Sequence, residues 1–326
     1  MRNKRLKSGI CCLLIILSFT GCSSSLGMKI PYADVSVHST QDTIQNNSLK
    51  TAEFISHNLC IVPNGYQQVK DNEITSISSF LFDVTDSEIL YADNVYERIY
   101  PASLTKLLTA LVVFQHANLE DVVTFSYNAS HIQVPGAKVC GFKEGDKVVL
   151  KDLLAVFLIY SGNDAGIAIA EHIAGSEEEF AKLMNKEAKS IGAVDTNFVN
   201  SHGLHDDNHY TTAYDIYLVF NELLKYDKFI SIINQSSITV NFIDKNGANL
   251  KETFYTTNGY LKNSASAPEG LTIIGGKTGT TSQAGNCLIL LSKDNLGKSY
   301  LSLLLKMGSS DELYSQMTHL LEKVNR

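Results

Sequence analysis

Three short constellations in the chain carry residue types that can do chemistry. The first is Ser103-x-x-Lys106, in the stretch YPASLTKLLTALVVF at residues 100–114. Residues three apart share a helix face, so the lysine amine can reach the serine hydroxyl. The peptide dipoles at a helix N-terminus favour developing negative charge, so a hydroxyl placed there can be both deprotonated and stabilised. A capping serine followed by a surface lysine would read the same way. The second is Ser161-Gly162-Asn163, where a glycine interrupts a helical run and leaves a serine and an asparagine facing something polar, unless it is only a structural turn. The third is Lys277-Thr278-Gly279. Glycine on a strand admits a second backbone at close range, and a plain hairpin edge is the competing reading. His202, His205 and His209 form a fourth group, with no HExxH frame and no carboxylate at a metal-site spacing, so they are read as exposed loop histidines without a metal.

These residues need elements to hold them. SISSFLFDV (76–84) and EILYADN (88–94) are rich in β-favouring residues on either side of TDS, which predicts an antiparallel hairpin. A helix follows: Pro101 suits its entry, Ser103 falls in its first turn, and Leu104, Leu107, Leu108, Leu111 and Val112 recur at the spacing of one buried face. The chain from about 116 to 250 reads as mainly helical. LKDLLAVFLIYSGNDAGIAIAEHIAG (150–175) predicts two helices around the Ser161 interruption, and EEEFAKLMNKEAKSIGA an amphipathic one with a solvated charged face. NSHGLHDDNHYTTAYDI is a polar loop entering another helix, with Thr211 or Thr212 as its cap. Strands return around Lys277, and ELYSQMTHLLEKV closes the chain as a helix. Strands, then helices, then strands predict a mixed α+β fold.

Composition sets the outer bounds. The 326 residues are 44% hydrophobic and 19% charged, enough to bury a sizeable core. A net charge of -7 with no basic block after the leader excludes nucleic acid as a partner. Residues 1–21 read as an export signal: Arg2, Lys4, Arg5 and Lys7 precede an apolar stretch from Ile10 to Phe19 that is too short to span a bilayer. FTGC before SSS resembles the lipobox of bacterial lipoproteins, with Phe19 in place of its usual leucine. That resemblance implies Cys22 as a lipidated N-terminal cysteine that anchors the protein at the outer face of the cytoplasmic membrane, with an ordinary cleavable signal or an uncleaved anchor as the alternative. Residues 22–50, rich in Ser, Gln, Asn and Thr, read as a flexible tether, and 51–326 as the catalytic domain. Cys60, Cys140 and Cys287 show no metal-ligand spacing and read as buried small residues, with one disulfide left open.

Jointly, the three constellations are specific. In their order and setting they match the serine signature of penicillin-binding proteins and β-lactamases. YPASLTKLLTAL, SGNDAGIAIAEHIAGS, HYTTAYDI and GGKTGTTSQAGNCLI resemble the low-molecular-mass penicillin-binding proteins of the serine D-alanyl-D-alanine carboxypeptidase type, from about residue 70 to the C-terminus. The resemblance implies an antiparallel sheet flanked by helices, with an inserted helical subdomain and a cleft where the two parts meet. It implies Ser103 as nucleophile toward peptidoglycan stem peptides, Lys106 as its base, and Ser161 as a proton relay to the leaving amine. Asn163 would hold the substrate amide or Lys106, and Lys277 would be the second cation beside Lys106. Lys277 and Thr278 would meet the terminal carboxylate on the Gly279-bearing strand, and the N–H groups of Ser103 and Thr280 would receive the oxyanion. β-Lactams would acylate the same serine, and no cofactor is implied.

Two departures stand out. The chain after Gly279 suffices only for the last strands and a helix, where many relatives carry a further β-rich domain. SSDELYSQM at the start of the final helix lacks the basic residue that helps bind carboxylate in many relatives. A class A β-lactamase is disfavoured because no Leu-Asn dipeptide follows Asn163 before Lys277, so the deacylating glutamate frame is missing. A D,D-transpeptidase, or a penicillin-binding sensor that does not turn over, remains the alternative.

Overall fold

The computed structural model describes residues 59–63, 66 and 70–325. The signal segment, Cys22, the tether and the expected domain start at Thr51 all lie outside the described residues.

The predicted hairpin is present as β1 (Ser78–Asp83) and β2 (Glu88–Asp93), with Phe80 opposite Ala92. Asp83 Oδ1 accepts the N–H groups of Thr85 and Asp86 at 2.8 and 2.9 Å, a side-chain turn that fixes the reversal. The far edge of β1 pairs with β9 (Ser299–Met307), which pairs with β8 (Gly285–Asp294) and then β7 (Leu271–Thr281). The resulting antiparallel sheet has the order β2-β1-β9-β8-β7, so the two ends of the domain share one sheet.

Both faces of this sheet are covered along β1, β8 and β9, which explains why these strands carry continuous buried runs rather than alternating ones. Phe80, Phe82, Ile289, Leu291, Leu301 and Leu303 point into the core shared with the helices. Leu81, Leu288, Leu290 and Leu304 point the other way, onto Leu313, Met317 and Leu320 of the closing helix α8 (Ser310–Leu321). A capping box starts that helix: Ser309 accepts from Glu312 N–H and the Glu312 side chain reaches back to Ser309 N–H.

Helix α1 (Thr105–His116) differs from its expected single buried face. Every residue from Thr105 to Val113 is buried, because α1 is central and packs against α3 (Leu150–Ile159), α4 (Asn163–Ala174), α5 (Glu177–Ser190) and α6 (Ala213–Leu223). Thr212, one of the two predicted caps, accepts from Asp215 N–H at the start of α6. The middle of the chain is also less purely helical than its composition suggests. Besides the short α2 (Tyr127–Ser130) and α7 (Asp227–Ile233), it holds a second antiparallel sheet. That sheet has the order β3-β4-β5-β6, from β3 (Val122–Thr124), β4 (Lys147–Val149), β5 (Ser237–Ile243) and β6 (Asn249–Tyr255). Cys60, Cys140 and Cys287 are free thiols, two of them fully buried.

Candidate active site

Ser103 lies in a single 3-10 turn, Ala102–Leu104, immediately ahead of α1 rather than inside its first turn. The following turn of α1 brings Lys106 Nζ to 3.1 Å from Ser103 Oγ. Lys106 is fully buried, and its amine also donates to Asn163 Oδ1 at 2.8 Å and to the His202 carbonyl. Those last two partners can only accept, whereas a hydroxyl can reverse its role. A neutral Lys106 amine therefore keeps its two N–H bonds to Asn163 and His202 and aims its lone pair at Ser103. Burial pushes the lysine pKa down to about 7, with the Lys138 charge adding to the shift against the opposing pull of Cys140 and Asp164.

Asn163 is placed by the break between α3 and α4. Ser161 there has φ +74°, a strained value for a non-glycine residue. At Gly162 a Cβ would stand 2.2 Å from Cys140 Sγ, so only glycine lets the loop before β4 close down on this turn. That loop is tied at three points: Asn163 N–H donates to the Lys138 carbonyl at 2.7 Å, and Asp164 accepts from the Cys140 and Gly141 N–H groups at 2.8 and 2.9 Å.

Strand β7 supplies the opposite wall. Lys277, 1% exposed, donates to Ser161 Oγ at 2.9 Å and to the Thr278 carbonyl at 2.8 Å. Burial, then the charges of Lys106 and Lys138, hold its pKa well below the ordinary lysine value. Thr278 Oγ1 sits 2.6 Å from Thr257 Oγ1, which presents it to the cleft. At Gly279 a Cβ would come within 3.0 Å of Ser103 N, so the glycine lets β7 approach the Ser103 turn. The open cleft between sheet and helical part has a volume of about 1020 Å³ and is lined by Ser103, Ser161, Asn163, Thr278, Gly279 and Thr280.

Five of the residues singled out in the three constellations, Ser103, Ser161, Asn163, Thr278 and Gly279, thus line one cavity, with Lys106 buried directly beneath Ser103. Several neighbours were not foreseen. Asp164 follows the second motif directly and could have been found as an acid beside Asn163. The loop histidines are a correction: His202 and His209 are 5% and 2% exposed, not surface residues, and the His202 backbone is part of the lysine's binding site. Their segment is polar because its side chains bond inward. Ser201 donates to Glu177, and Asn200 Oδ1 accepts from Gly203 N–H. Among the described residues no group of three or more His, Cys, Asp or Glu is arranged to hold a metal ion.

The profile of the D-alanyl-D-alanine carboxypeptidase family matches residues 65–305. The chain belongs to that family. A D-alanyl-D-alanine carboxypeptidase of Bacillus subtilis is 34% identical over 66% of this chain and 54% of its own length, and one of Escherichia coli is 33% identical over 68% and 56%. The chain thus spans about half the length of these curated relatives. Among solved structures, an S-to-A variant of the Streptomyces K15 DD-transpeptidase superposes with a TM-score of 0.71 at 25% identity, covering 77% of this chain and 97% of that one. Penicillin-binding protein 5 of Haemophilus influenzae gives 0.68 at 27% identity, over 79% and 72%. The fold is that of the β-lactamase and transpeptidase class. In this D-alanyl-D-alanine carboxypeptidase family member, the start of α8 contributes Ser310, Asp311 and Tyr314 to the cleft and no basic side chain.

Proposed function

We propose that the protein is a serine D,D-carboxypeptidase that removes the terminal D-alanine from peptidoglycan pentapeptide stems. The observation that carries this reading is the buried Lys106 amine, 3.1 Å from Ser103 Oγ, with a pKa near 7 and acceptors on its other sides. Lys106 takes the Ser103 proton as Oγ attacks the carbonyl carbon of the penultimate D-alanine. The oxyanion is received by the N–H groups of Ser103 and Thr280, donors of a type that contribute about 3 kcal/mol each to lowering the barrier. As the C–N bond breaks, Ser161 passes its proton to the departing amine and takes back the one held on Lys106, which is neutral again. Water then attacks the acyl-enzyme, Lys106 taking its proton and returning it to Ser103 Oγ as the acyl C–O bond breaks, which frees the shortened stem. Lys277 and Thr278 meet the terminal carboxylate, and Asn163 holds Lys106 in place. A β-lactam enters by the same attack on its ring carbonyl and stays as a stable acyl-enzyme.

Purified protein mixed with a pentapeptide-bearing muropeptide should yield, by mass spectrometry, loss of a single alanine, abolished in Ser103→Ala. Cross-linked dimers would move the assignment to a D,D-transpeptidase, the activity named for the Streptomyces structure. Acylation by penicillin without peptide turnover would move it to a sensor.

The FTGC stretch supports lipidation of Cys22 and action at the outer face of the cytoplasmic membrane. Cells fed a labelled fatty acid should mark the protein, and Cys22→Ser should remove the label; equal labelling of the variant would contradict the anchor.

A further inference from the structure

A buried chain of hydrogen bonds ends on the peptide unit that carries the Ser103 N–H. His209 Nδ1 accepts from Val199 N–H at 3.2 Å, which places the ring proton on Nε2. Nε2 lies 2.7 Å from Thr105 Oγ1, and Thr105 Oγ1 donates in turn to the Ala102 carbonyl at 2.8 Å. Thr105 is fully buried and His209 nearly so. Burial, reinforced by His202, pushes the imidazole pKa down to about 3, so the ring stays neutral and keeps both roles. The Phe198 ring stands edge-on to the imidazole with centroids 5.2 Å apart, and His209 N–H is tied to the Asp206 carbonyl.

The peptide at the end of this chain is one that needs holding. Ala102 has φ +47°, a left-handed value that an alanine adopts only under constraint. Gly203 presses on the same carbonyl: a Cβ there would come within 1.9 Å of Ala102 O. Thr105 N–H also reaches Ala102 O, as the start of a helix provides, so the hydroxyl is a second donor on that oxygen. A trans peptide is planar, with C=O and N–H pointing in opposite directions. Fixing the Ala102 carbonyl therefore fixes the direction of the Ser103 N–H, whose nitrogen lies beside Gly279 of β7.

We propose that His209, acting through the Thr105 hydroxyl, is a positioning residue that orients the Ser103 N–H as an oxyanion-hole donor. The inference rests on the reading of Ser103 as nucleophile. The relay moves no proton during turnover; its contribution is to keep one donor aimed where negative charge develops.

The test compares an N-acyl-D-alanyl ester substrate with its thionoester, whose C=S leaves charge on sulfur, a poorer and larger hydrogen-bond acceptor. In Thr105→Val, which keeps the shape and loses the hydroxyl, and in His209→Leu, acylation by the oxygen ester should fall about tenfold or more. The thionoester rate should change little, so the oxygen-to-sulfur rate ratio falls by about the same factor, with KM unchanged. His209→Gln, which can still donate to Thr105, should restore the ratio to within about threefold of the wild type. A ratio unchanged in both Thr105→Val and His209→Leu, whatever happens to overall rate or melting temperature, would overturn the proposal and leave a merely structural role. Ester turnover persisting in Ser103→Ala would overturn the nucleophile reading itself, and this inference with it.

Discussion

The acylation rate should follow the titration of Lys106. With its amine as the proposed base, only the neutral form can accept the Ser103 proton, so activity must rise with pH through the lysine's own pKa. Burial lowers that pKa from 10.5 to about 7. The sign follows directly: the shift destabilises the charged form, so the neutral fraction is large at neutral pH. About half of the molecules are competent at pH 7, against roughly one in three thousand for a lysine at its ordinary value, a difference on the order of 5 kcal/mol between the two protonation states. The logarithm of the acylation rate constant should climb with a slope of one below pH 7 and level off above it, with the rate at pH 5 about a hundredfold under the plateau. Stopped-flow labelling with a fluorescent penicillin at subsaturating concentration, from pH 5 to 10, measures this. A rate still rising tenfold per unit between pH 8 and 10 would refute the reasoning, since Lys106 would then be an ordinary solvated amine.

Three further outcomes follow from particular contacts. Lys277 is neutral more readily than an ordinary lysine, so binding a carboxylate-ended peptide to Ser103→Ala at pH 9 should draw a proton from solution; calorimetry in buffers of different ionisation enthalpy should show this uptake, reduced in the Lys277→Met double variant, and no uptake would contradict the carboxylate role. Gly279→Ala places a methyl 3.0 Å from Ser103 N, so acylation should fall by about a hundredfold while the melting temperature shifts little; a wild-type penicillin-labelling rate would remove that contact from the account. Ser309→Ala breaks the capping box of α8 and should cost about 1 kcal/mol in chemical unfolding; an unfolding free energy equal to that of the wild type would contradict the cap.

Much of this arrangement was legible before any coordinates. The hairpin, the two helices around Ser161 and the Thr212 cap all announce themselves through periodicity and turn chemistry, because each is specified locally. What escaped is set by neighbours distant in sequence. β3 and β4 are three residues each, too short for an alternation to register, and β6 is exposed at six of its seven positions, so it carries no burial pattern. Helix α1 looks one-sided because Thr105, Lys106 and Thr109 are polar, yet each is buried with a specific acceptor. The same holds for His209, a polar residue in a polar loop whose partner lies 104 positions away. The motifs themselves showed which residues belong together, but not that Lys106 would be sealed beneath Ser103 with two permanent acceptors. That sealing sets the pKa, and no spacing rule encodes it.

The most direct measurement is the site of covalent attachment. Protein incubated with benzylpenicillin, digested and mapped by tandem mass spectrometry should carry a single penicilloyl group on Ser103, and Ser103→Ala should carry none. A label on Ser161 or any other serine, or an unlabelled wild-type protein, would contradict the assignment of the nucleophile on which the account rests.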